Sequence, residues 1–270
     1  MTFDPRPIGV FDSGIGGLTV LRELVRQFPE ENFLYLGDTA RLPYGSKSAD
    51  TVRKYSEQNM KFLVSRDVKA IVVACNTASA QVNEDRFMDR PVYNVIDPGS
   101  VLAAQKTENK KVGVIGTRAM VKTDSYRKKI QAIDPEIEVF SVACPLFVPL
   151  AEEGWSDDPI TNLIAFRYLQ GLKAENVDTA VLGCTHYPLL KIAIQKVFGN
   201  YVNLVDSGYA ISQQMEKDFV SGKILKSSSD HAHELRITLT DFGPQFESLT
   251  AKLLSEVSSR DVSFETVSVI

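Results

Sequence analysis

Short apolar runs alternate with amphipathic stretches from end to end of the 270-residue chain. The runs are rich in β-branched residues, which is typical of buried strands. They comprise IGVF, NFLYLG, AIVVA, VYNVI, KVGVIG, IEVFSVA, TAVLG, VNLVD and LRITLT. The stretches GLTVLRELVRQF, SADTVRKYSEQNMKFLVSR, ITNLIAFRYLQGL and PLLKIAIQKVF carry apolar residues every three or four positions and predict helices. This alternation predicts an α/β fold of mainly parallel sheets flanked by helices.

Two parts of the chain resemble each other in the order of these elements. IGVFDS at 8–13 opens the first part, and VGVIGT at 112–117 opens the second. Each is followed later by an apolar run that ends in a cysteine, in IVVACNTAS and AVLGCTHYP. We therefore predict a duplicated α/β unit, with two similar domains and an active site in the cleft between them.

Composition argues against several classes of partner and compartment. The net charge is −4, and no concentrated basic face is visible that would bind nucleic acid. No stretch of about 18 apolar residues predicts a membrane span, and no export signal opens the chain, so we expect a cytoplasmic protein. The three widely spaced cysteines, Cys75, Cys144 and Cys184, argue against a disulfide framework and predict reduced thiols.

The segment FDSGIGGLT contains three closely spaced glycines, Gly14, Gly16 and Gly17. It lacks the third glycine of a dinucleotide fingerprint, where Thr19 stands, and the Lys-Ser/Thr pair of a P-loop. Asp12 would also repel a phosphate at this turn. We instead predict that the backbone N–H groups at the helix N-terminus bind a small carboxylate. For Ser13, a helix cap and a ligand contact remain equally open.

Cys75 and Cys184 each lie where a predicted strand gives way to a helix. Either one alone is compatible with an inert, buried cysteine, but backbone N–H dipoles at such a junction are expected to lower a thiol pKa. For an ordinary thiol with a pKa of about 8.5, ionisation at pH 7 costs only about 2 kcal/mol. His186 lies two residues after Cys184 and is a potential acid/base partner.

The two thiols do not fit the commoner chemistries of cysteine. A hydrolase needs one nucleophilic cysteine and leaves the second unexplained, and Cys75, Cys184 and His186 fall short of a zinc ligand set. Two thiols on opposite sides of a small molecule suit a different reaction, in which one removes a proton from a carbon and the other returns one to the opposite face. Such an arrangement inverts a stereocentre.

Six motifs together resemble the cofactor-independent aspartate/glutamate racemase superfamily, and bacterial glutamate racemases in particular. They are FDSGIGGLTVLREL, LGDTARLPYGSKS, VVACNTASA, VIGTRAM, ACPLFVPLAEEG and VLGCTHYPLL, and the resemblance runs from about residue 8 to residue 210. It implies interconversion of L- and D-glutamate by two-base proton transfer at Cα, with D-glutamate supplied for peptidoglycan. It also implies a cytoplasmic homodimer that uses neither cofactor nor metal.

The resemblance implies roles for individual residues of this chain. Cys75 would exchange the α-proton on the D-glutamate side and Cys184 on the L-glutamate side, assisted by Asp12 and His186 respectively. Asp38 and Glu152 match acidic positions near the site. The implied substrate-binding and pocket-lining positions are Ser13, Pro43, Tyr44, Gly45, Asn76, Thr77, Thr117 and Thr185.

The resemblance also implies that a second domain, residues 99–207, is inserted into a first domain formed by 1–98 and 208–270. Two alternatives to glutamate racemisation remain at this point. One is aspartate racemisation or a related thiol-based isomerisation, and the other is a non-catalytic amino-acid-binding protein of the same fold.

Overall fold

The computed structural model describes residues 3–228, 233–243, 246, 250–251, 253–254 and 262–269. Its strands form two sheets. The seven-stranded sheet contains β1 (Ile8–Asp12), β2 (Phe33–Gly37), β3 (Ala70–Val73), β4 (Arg86–Phe87), β5 (Arg90–Asn94), β10 (Leu235–Leu239) and β11 (Val262–Thr266). The four-stranded sheet contains β6 (Lys111–Gly116), β7 (Glu138–Ala143), β8 (Thr179–Gly183) and β9 (Asn203–Asp206). All paired strands are parallel except β4 and β5, as predicted for a mainly parallel α/β fold.

The two sheets share one strand order, which confirms the prediction of two similar units. The first sheet runs β11-β10-β2-β1-β3-β5-β4, and the second runs β7-β6-β8-β9. The segment β2-β1-β3-β5 therefore corresponds to β7-β6-β8-β9, with β1 matching β6 and β3 matching β8. Because ligands of open parallel sheets bind beyond the carboxyl ends of the strands, the ends of β3 and β8 are equivalent places.

Helices cover both faces of each sheet. They are α1 (Leu18–Gln27), α2 (Ala49–Ser65), α3 (Asn76–Ser79), α4 (Ile96–Lys106), α5 (Arg118–Thr123), α6 (Ser125–Ile133), α7 (Phe147–Glu152), α8 (Pro159–Ala174), α9 (Lys191–Phe198) and α10 (Ser207–Val220). Short 3-10 turns occupy Thr39–Arg41, Tyr44–Ser46 and Tyr187–Leu190. Alternate residues of a strand enter opposite cores: in β1, Ile8 and Val10 pack with α1 and α10, whereas Phe11 packs on the α2 side.

Two helices lie near the points where the chain is expected to pass between the domains. In α4, Ile96 and Ala103 pack with Val112 and Tyr126 in the core of the second sheet. In α10, Ile211 packs in the core of the first sheet, although β9 immediately before it belongs to the second. The division into 1–98 with 208–270, and 99–207, stays a prediction that this packing supports.

Several elements differ from the sequence prediction. The run VYNVI was expected to be a strand throughout, but β5 ends at Asn94 and the helix α4 begins at Ile96, where the Asn94 side-chain oxygen accepts the N–H groups of Ile96 and Asp97. The helix expected for PLLKIAIQKVF begins as a 3-10 turn and becomes α-helical only at Lys191. In the part of the chain that the model covers, no helix is both long and apolar enough to span a membrane.

Candidate active site

The two cysteines expected to react lie at the equivalent strand ends. Cys75 follows β3 and immediately precedes α3, and Cys184 directly follows β8. Their exposed fractions are nearly equal, 5% and 6%. Both line a single cavity of about 540 Å³, so the structure brings the two thiols to one space large enough for a small ligand. Cys144, by contrast, is fully buried in the core beside α7 and α8.

Most of the predicted site residues line this cavity together. Besides the two cysteines, they are Ser13, Pro43, Tyr44, Gly45, Asn76, Thr77, Thr117, Thr185 and His186. Asp12, Asp38 and Glu152 are absent from the lining and lie behind it, where they contact residues that do reach the cavity. The roles of Asp12, Asp38 and Glu152 stay predictions, and in the structure each carboxylate contacts a cavity-lining residue without lining the cavity itself.

Cys184 lies next to a positively charged histidine. Its Sγ is 3.8 Å from Nδ1 of His186, and Nε2 of the same ring is 3.1 Å from Oε1 of Glu152 in α7. Burial opposes the charged ring, but its hydrogen bonds with Cys184 and Glu152 raise the pKa of His186 to about 10. The imidazole is therefore protonated at neutral pH, and positive charge lies beside Sγ of Cys184.

Cys75 lies in a less favourable place for negative charge. Burial raises the pKa of its thiol to about 12, and the carboxylate of Asp12 adds to the increase. The N–H group of Ala78 and the hydroxyl of Ser13 oppose this shift but do not overcome it. The prediction that backbone N–H dipoles lower the pKa of Cys75 is therefore wrong. Burial raises this pKa by more than the hydrogen bonds lower it, because the thiolate loses its solvation. At pH 7, ionising this thiol costs about 7 kcal/mol instead of about 2.

The glycine-rich turn that follows β1 binds its own carboxylate. Oδ2 of Asp12 accepts the N–H of Gly14 at 2.9 Å, and the N–H of Gly17 also bonds to this carboxylate. Burial raises the pKa of Asp12, although the charge of His186 and these bonds oppose the rise. The prediction that these N–H groups are free to bind a ligand carboxylate is therefore wrong for Gly14 and Gly17.

Gly16 allows the turn to lie directly against the end of β8. A Cβ at this position would lie 2.4 Å from Nδ1 of His186 and 2.4 Å from Oγ1 of Thr185. The hydroxyl of Thr185 in turn donates to Oδ1 of Asp12 at 3.2 Å. The turn is glycine-rich here because two strand ends of different sheets approach each other closely.

Tyr44 is fixed by a polar cluster behind the cavity. Its hydroxyl donates to Asp38 and accepts from Nδ2 of Asn59 at 3.0 Å. Arg41 forms a salt bridge of 2.8 Å with the same Asp38 carboxylate, which is fully buried. Asp38 thus positions Tyr44 and shows no contact of its own with the cavity.

Further contacts join the two sheets across the cavity. Oγ1 of Thr77, in α3, lies 3.1 Å from Oγ1 of Thr117 after β6. The side-chain oxygen of Asn76 accepts from the hydroxyl of Tyr126 at 2.7 Å. Both pairs connect the loop that carries Cys75 to elements of the second sheet, whose strand β8 leads to Cys184.

Comparison with known proteins agrees with this geometry. The family model for Asp/Glu/Hydantoin racemase matches residues 8–215. The chain belongs to this racemase family. Relatives include glutamate racemases from Geobacter metallireducens, 49% identical over 84% of this chain and 85% of that protein, and from Chlorobium phaeobacteroides, 44% identical over 97% and 96%. The crystal structure of glutamate racemase from Francisella tularensis in complex with D-glutamate is 38% identical, covers 98% of both chains and has a TM-score of 0.89.

The cavity lining of this member of the racemase family also includes residues that the sequence did not single out, and three of them are cations. The cations are Lys47, Arg118 and Lys122. Lys47 lies in the SKS segment just after the predicted Pro43-Tyr44-Gly45 positions, and Arg118 follows the predicted Thr117 directly. Arg118 and Lys122 are four residues apart, so a helix over this segment would have placed them on one face. The described residues contain no cluster of three or more His, Cys, Asp or Glu side chains suited to a metal ion.

Proposed function

We propose that this protein is a cofactor-independent glutamate racemase in which Cys75 and Cys184 are the two acid/base groups. The observation that carries the proposal is that both thiols line one small cavity from the ends of equivalent strands, β3 and β8. Racemisation at a carbon needs proton transfer on both faces, and two thiols that line one cavity are the groups here that can supply it. The relatives that span nearly the whole chain are named as glutamate racemases, which supports glutamate as the substrate.

The charges at the two thiols define a starting state. The imidazolium of His186 lies beside Sγ of Cys184, whereas burial raises the pKa of Cys75 and favours its neutral thiol. We propose that the resting enzyme carries one proton across the pair, held by Cys75. Conversion of L-glutamate would then begin without any prior rearrangement of protons.

The proton transfers balance between the two sulfur atoms. The thiolate of Cys184 takes the α-proton of L-glutamate, the electron pair of the C–H bond passes to Cα and its carboxylate, and the Cys75 thiol donates its proton to the opposite face. D-glutamate results, with Cys184 as thiol and Cys75 as thiolate. The reverse reaction starts from this second state, which Asp12 and the buried position of Cys75 make the costlier one.

The negative charge that develops on the substrate needs polar groups that are already in place. The hydroxyls of Ser13, Thr77, Thr117 and Thr185 line the cavity, as does the amide of Asn76. We propose that these groups orient the α-carboxylate and ammonium, since preorganised donors stabilise a transition-state charge without further reorganisation. Tyr44 and Gly45, together with Pro43, form the wall next to Thr117, where a Cβ on Gly45 would lie 2.9 Å from Cβ of Thr117.

The setting of this activity follows from the family resemblance. We propose that the protein supplies D-glutamate for peptidoglycan in the cytoplasm and that it acts as a homodimer. The relatives are named as glutamate racemases, which supports the supply of D-glutamate. Analytical ultracentrifugation of the purified protein tests the dimer, since a monomer at micromolar concentration would contradict it.

Circular dichroism of glutamate solutions tests the proposed function. We expect the wild-type protein to abolish the optical signal of either L- or D-glutamate and to act on D-aspartate much more slowly. Cys75→Ala and Cys184→Ala should each lose racemisation, whereas Cys144→Ala, which changes a thiol outside the cavity, should keep it. Faster turnover of aspartate than of glutamate would transfer the assignment to the aspartate alternative, and binding of glutamate without turnover would favour a non-catalytic protein.

A further inference from the structure

Tyr126 lies between the two loops that carry the reactive cysteines. Its side chain is 1% exposed and packs, from α6, in the core of the second sheet. Its hydroxyl donates to Oδ1 of Asn76, the residue after Cys75, at 2.7 Å. Its ring lies against Gly183, the residue before Cys184, where an added Cβ would be 3.3 Å from Cε2 of the tyrosine. One side chain therefore lies next to the sequence neighbours of both thiols.

The ring of Tyr126 has little room to move. A Cβ on Gly99 of α4 would lie 3.2 Å from both Cε1 and Oη of the tyrosine, on the ring edge opposite Gly183. Glycine at both positions allows the backbone to approach the two edges closely. Because the ring is confined in this way, the hydroxyl is directed to one place, the side-chain oxygen of Asn76.

The hydroxyl of Tyr126 is neutral at physiological pH and acts as a donor. Burial raises the pKa of this side chain above its ordinary value of 10. A neutral phenol has one O–H group to donate, whereas an amide group accepts through its oxygen and donates through its nitrogen. The bond from Tyr126 therefore favours the orientation of the Asn76 amide in which Oδ1 faces the tyrosine.

The nitrogen of the same amide contacts the start of α10. Nδ2 of Asn76 lies 3.4 Å from Oγ of Ser207, whose hydroxyl donates to the carbonyl of Leu182 at 3.3 Å. Nδ2 carries two N–H bonds, and Ser207 is its sole protein acceptor among the described residues. Since Asn76 also lines the active cavity, its second N–H is available to a ligand there.

We propose that Tyr126 is a positioning residue of the active site, which fixes the amide of Asn76 so that its second N–H meets the substrate. This inference rests on the proposed function, in which Asn76 orients the bound glutamate. Without the hydroxyl, Oδ1 of Asn76 loses its donor and the amide is free to turn, which presents an acceptor to the substrate carboxylate in place of a donor. Tyr126 acts through Asn76 and does not itself line the cavity.

Binding measurements on a double-mutant cycle test this role. Tyr126→Phe removes the hydroxyl and keeps the ring, and Asn76→Ala removes the amide through which the hydroxyl acts. Titration calorimetry would measure the Kd of D-glutamate for the wild type, both single variants and the double variant. Tyr93→Phe is the matched control, since it also removes a buried hydroxyl, one that donates to Asp218 at 2.6 Å outside the active cavity.

We expect Tyr126→Phe to raise the Kd of D-glutamate about tenfold, which corresponds to about 1.4 kcal/mol, and Tyr93→Phe to change it less than about twofold. Asn76→Ala should weaken binding at least as much as Tyr126→Phe. In the Asn76→Ala background, removal of the Tyr126 hydroxyl should change the Kd less than about twofold, because the amide that it positions is gone. A full effect in this background would overturn the proposal, since it would show a general effect on the fold. A wild-type Kd for either single variant would overturn it as well.

Ser207→Ala replaces Tyr126→Phe in the cycle if thermal unfolding shows that the latter does not fold. It removes the hydroxyl next to Nδ2 of the same amide, so it should raise the Kd of D-glutamate only where Asn76 is present, and an unchanged Kd would then overturn the proposal. Racemisation is measured separately by circular dichroism. Absence of turnover in a wild type that shows the coupling would contradict the proposed function alone, whereas a wild type that does not bind D-glutamate would contradict both.

Discussion

Sγ of Cys184 lies 3.8 Å from Nδ1 of His186, and this pairing makes the two reactive thiols electrostatically different. The imidazolium beside Cys184 is held by Glu152 on its other nitrogen. Cys75 instead lies 3.7 Å from Oγ of Ser13, and the nearby carboxylate of Asp12 contributes to raising its pKa. In the proposed mechanism one thiolate takes the α-proton while the other thiol donates its own, and we propose that this asymmetry decides which sulfur is protonated at rest.

Selective alkylation should reveal this asymmetry. In the absence of substrate at pH 7 to 8, we expect iodoacetamide to modify Cys184 at least about tenfold faster than Cys75, because the thiolate is the nucleophile and burial raises the pKa of the Cys75 thiol. The two side chains have nearly the same small exposure, so unequal access does not account for the difference. Peptide mapping by mass spectrometry measures both rates, with fully buried Cys144 as the unreactive reference. Faster modification of Cys75 would contradict the proposed resting state.

Removing the charge of Glu152 should shift the pH dependence of the reaction. The pKa of His186 is raised from 6.5 to about 10, so its positive charge is present below that value and is lost as pH rises through it. In Glu152→Gln the pKa of His186 should fall, because one of the groups that raise it becomes neutral. The alkaline decline of kcat/KM for L-glutamate should therefore begin at lower pH than in the wild type.

The neighbouring residue provides the control for this prediction. Glu153 is exposed and directly follows Glu152, so Glu153→Gln removes the same charge without touching the histidine. Its pH profile of kcat/KM should match that of the wild type. Identical profiles for both variants and the wild type would show that Glu152 does not act through His186.

Gly16→Ala should damage the site by overpacking. Its new methyl group would lie 2.4 Å from both Thr185 and His186, whose positions depend on the packing between the two sheets. We expect a loss of about 1–3 kcal/mol in the free energy of unfolding and a large fall in kcat. Gly171→Ala is the matched substitution, since nothing lies within 4 Å of its added methyl group in α8. That variant should gain up to about 1 kcal/mol, because alanine favours helix over glycine.

Denaturant unfolding of the two glycine variants, followed by activity measurements on the folded proteins, separates these effects. Equal stability and activity of Gly16→Ala and the wild type would show that the turn tolerates a side chain, and that the close approach to Thr185 and His186 does not restrict the site.

The positions of the two thiols could be predicted from the chain because they depend on short-range patterns. AIVVA and TAVLG are apolar runs with a clear end, and the residue after such a run in a parallel sheet lies at the edge where ligands bind. The repeated order of strands then placed Cys75 and Cys184 at equivalent positions. The same patterns missed β4, which has only two residues, and β11, whose side chains are mostly exposed and show no buried run.

The electrostatics of the site could not be predicted in the same way. The contact between His186 and Glu152 joins residues 34 positions apart, and the contact between Thr185 and Asp12 joins residues 173 apart. Neither leaves a local pattern. The burial of Cys75 also depends on packing from several elements, which the local sequence does not show. The expectation of a low thiol pKa was therefore wrong, although the thiol does line the cavity. Lys47, Arg118 and Lys122 were missed because isolated surface cations are common on any chain.

Incorporation of solvent deuterium at Cα tests the two-thiol account most directly. When the wild-type protein acts on L-glutamate in D₂O, Cys75 should deliver deuterium to the opposite face, since its thiol has exchanged with solvent. At early conversion, mass spectrometry of the separated enantiomers should find deuterium at Cα of D-glutamate and almost none in the remaining L-glutamate. Unlabelled D-glutamate, or equal labelling of both enantiomers, would contradict proton transfer by two different groups.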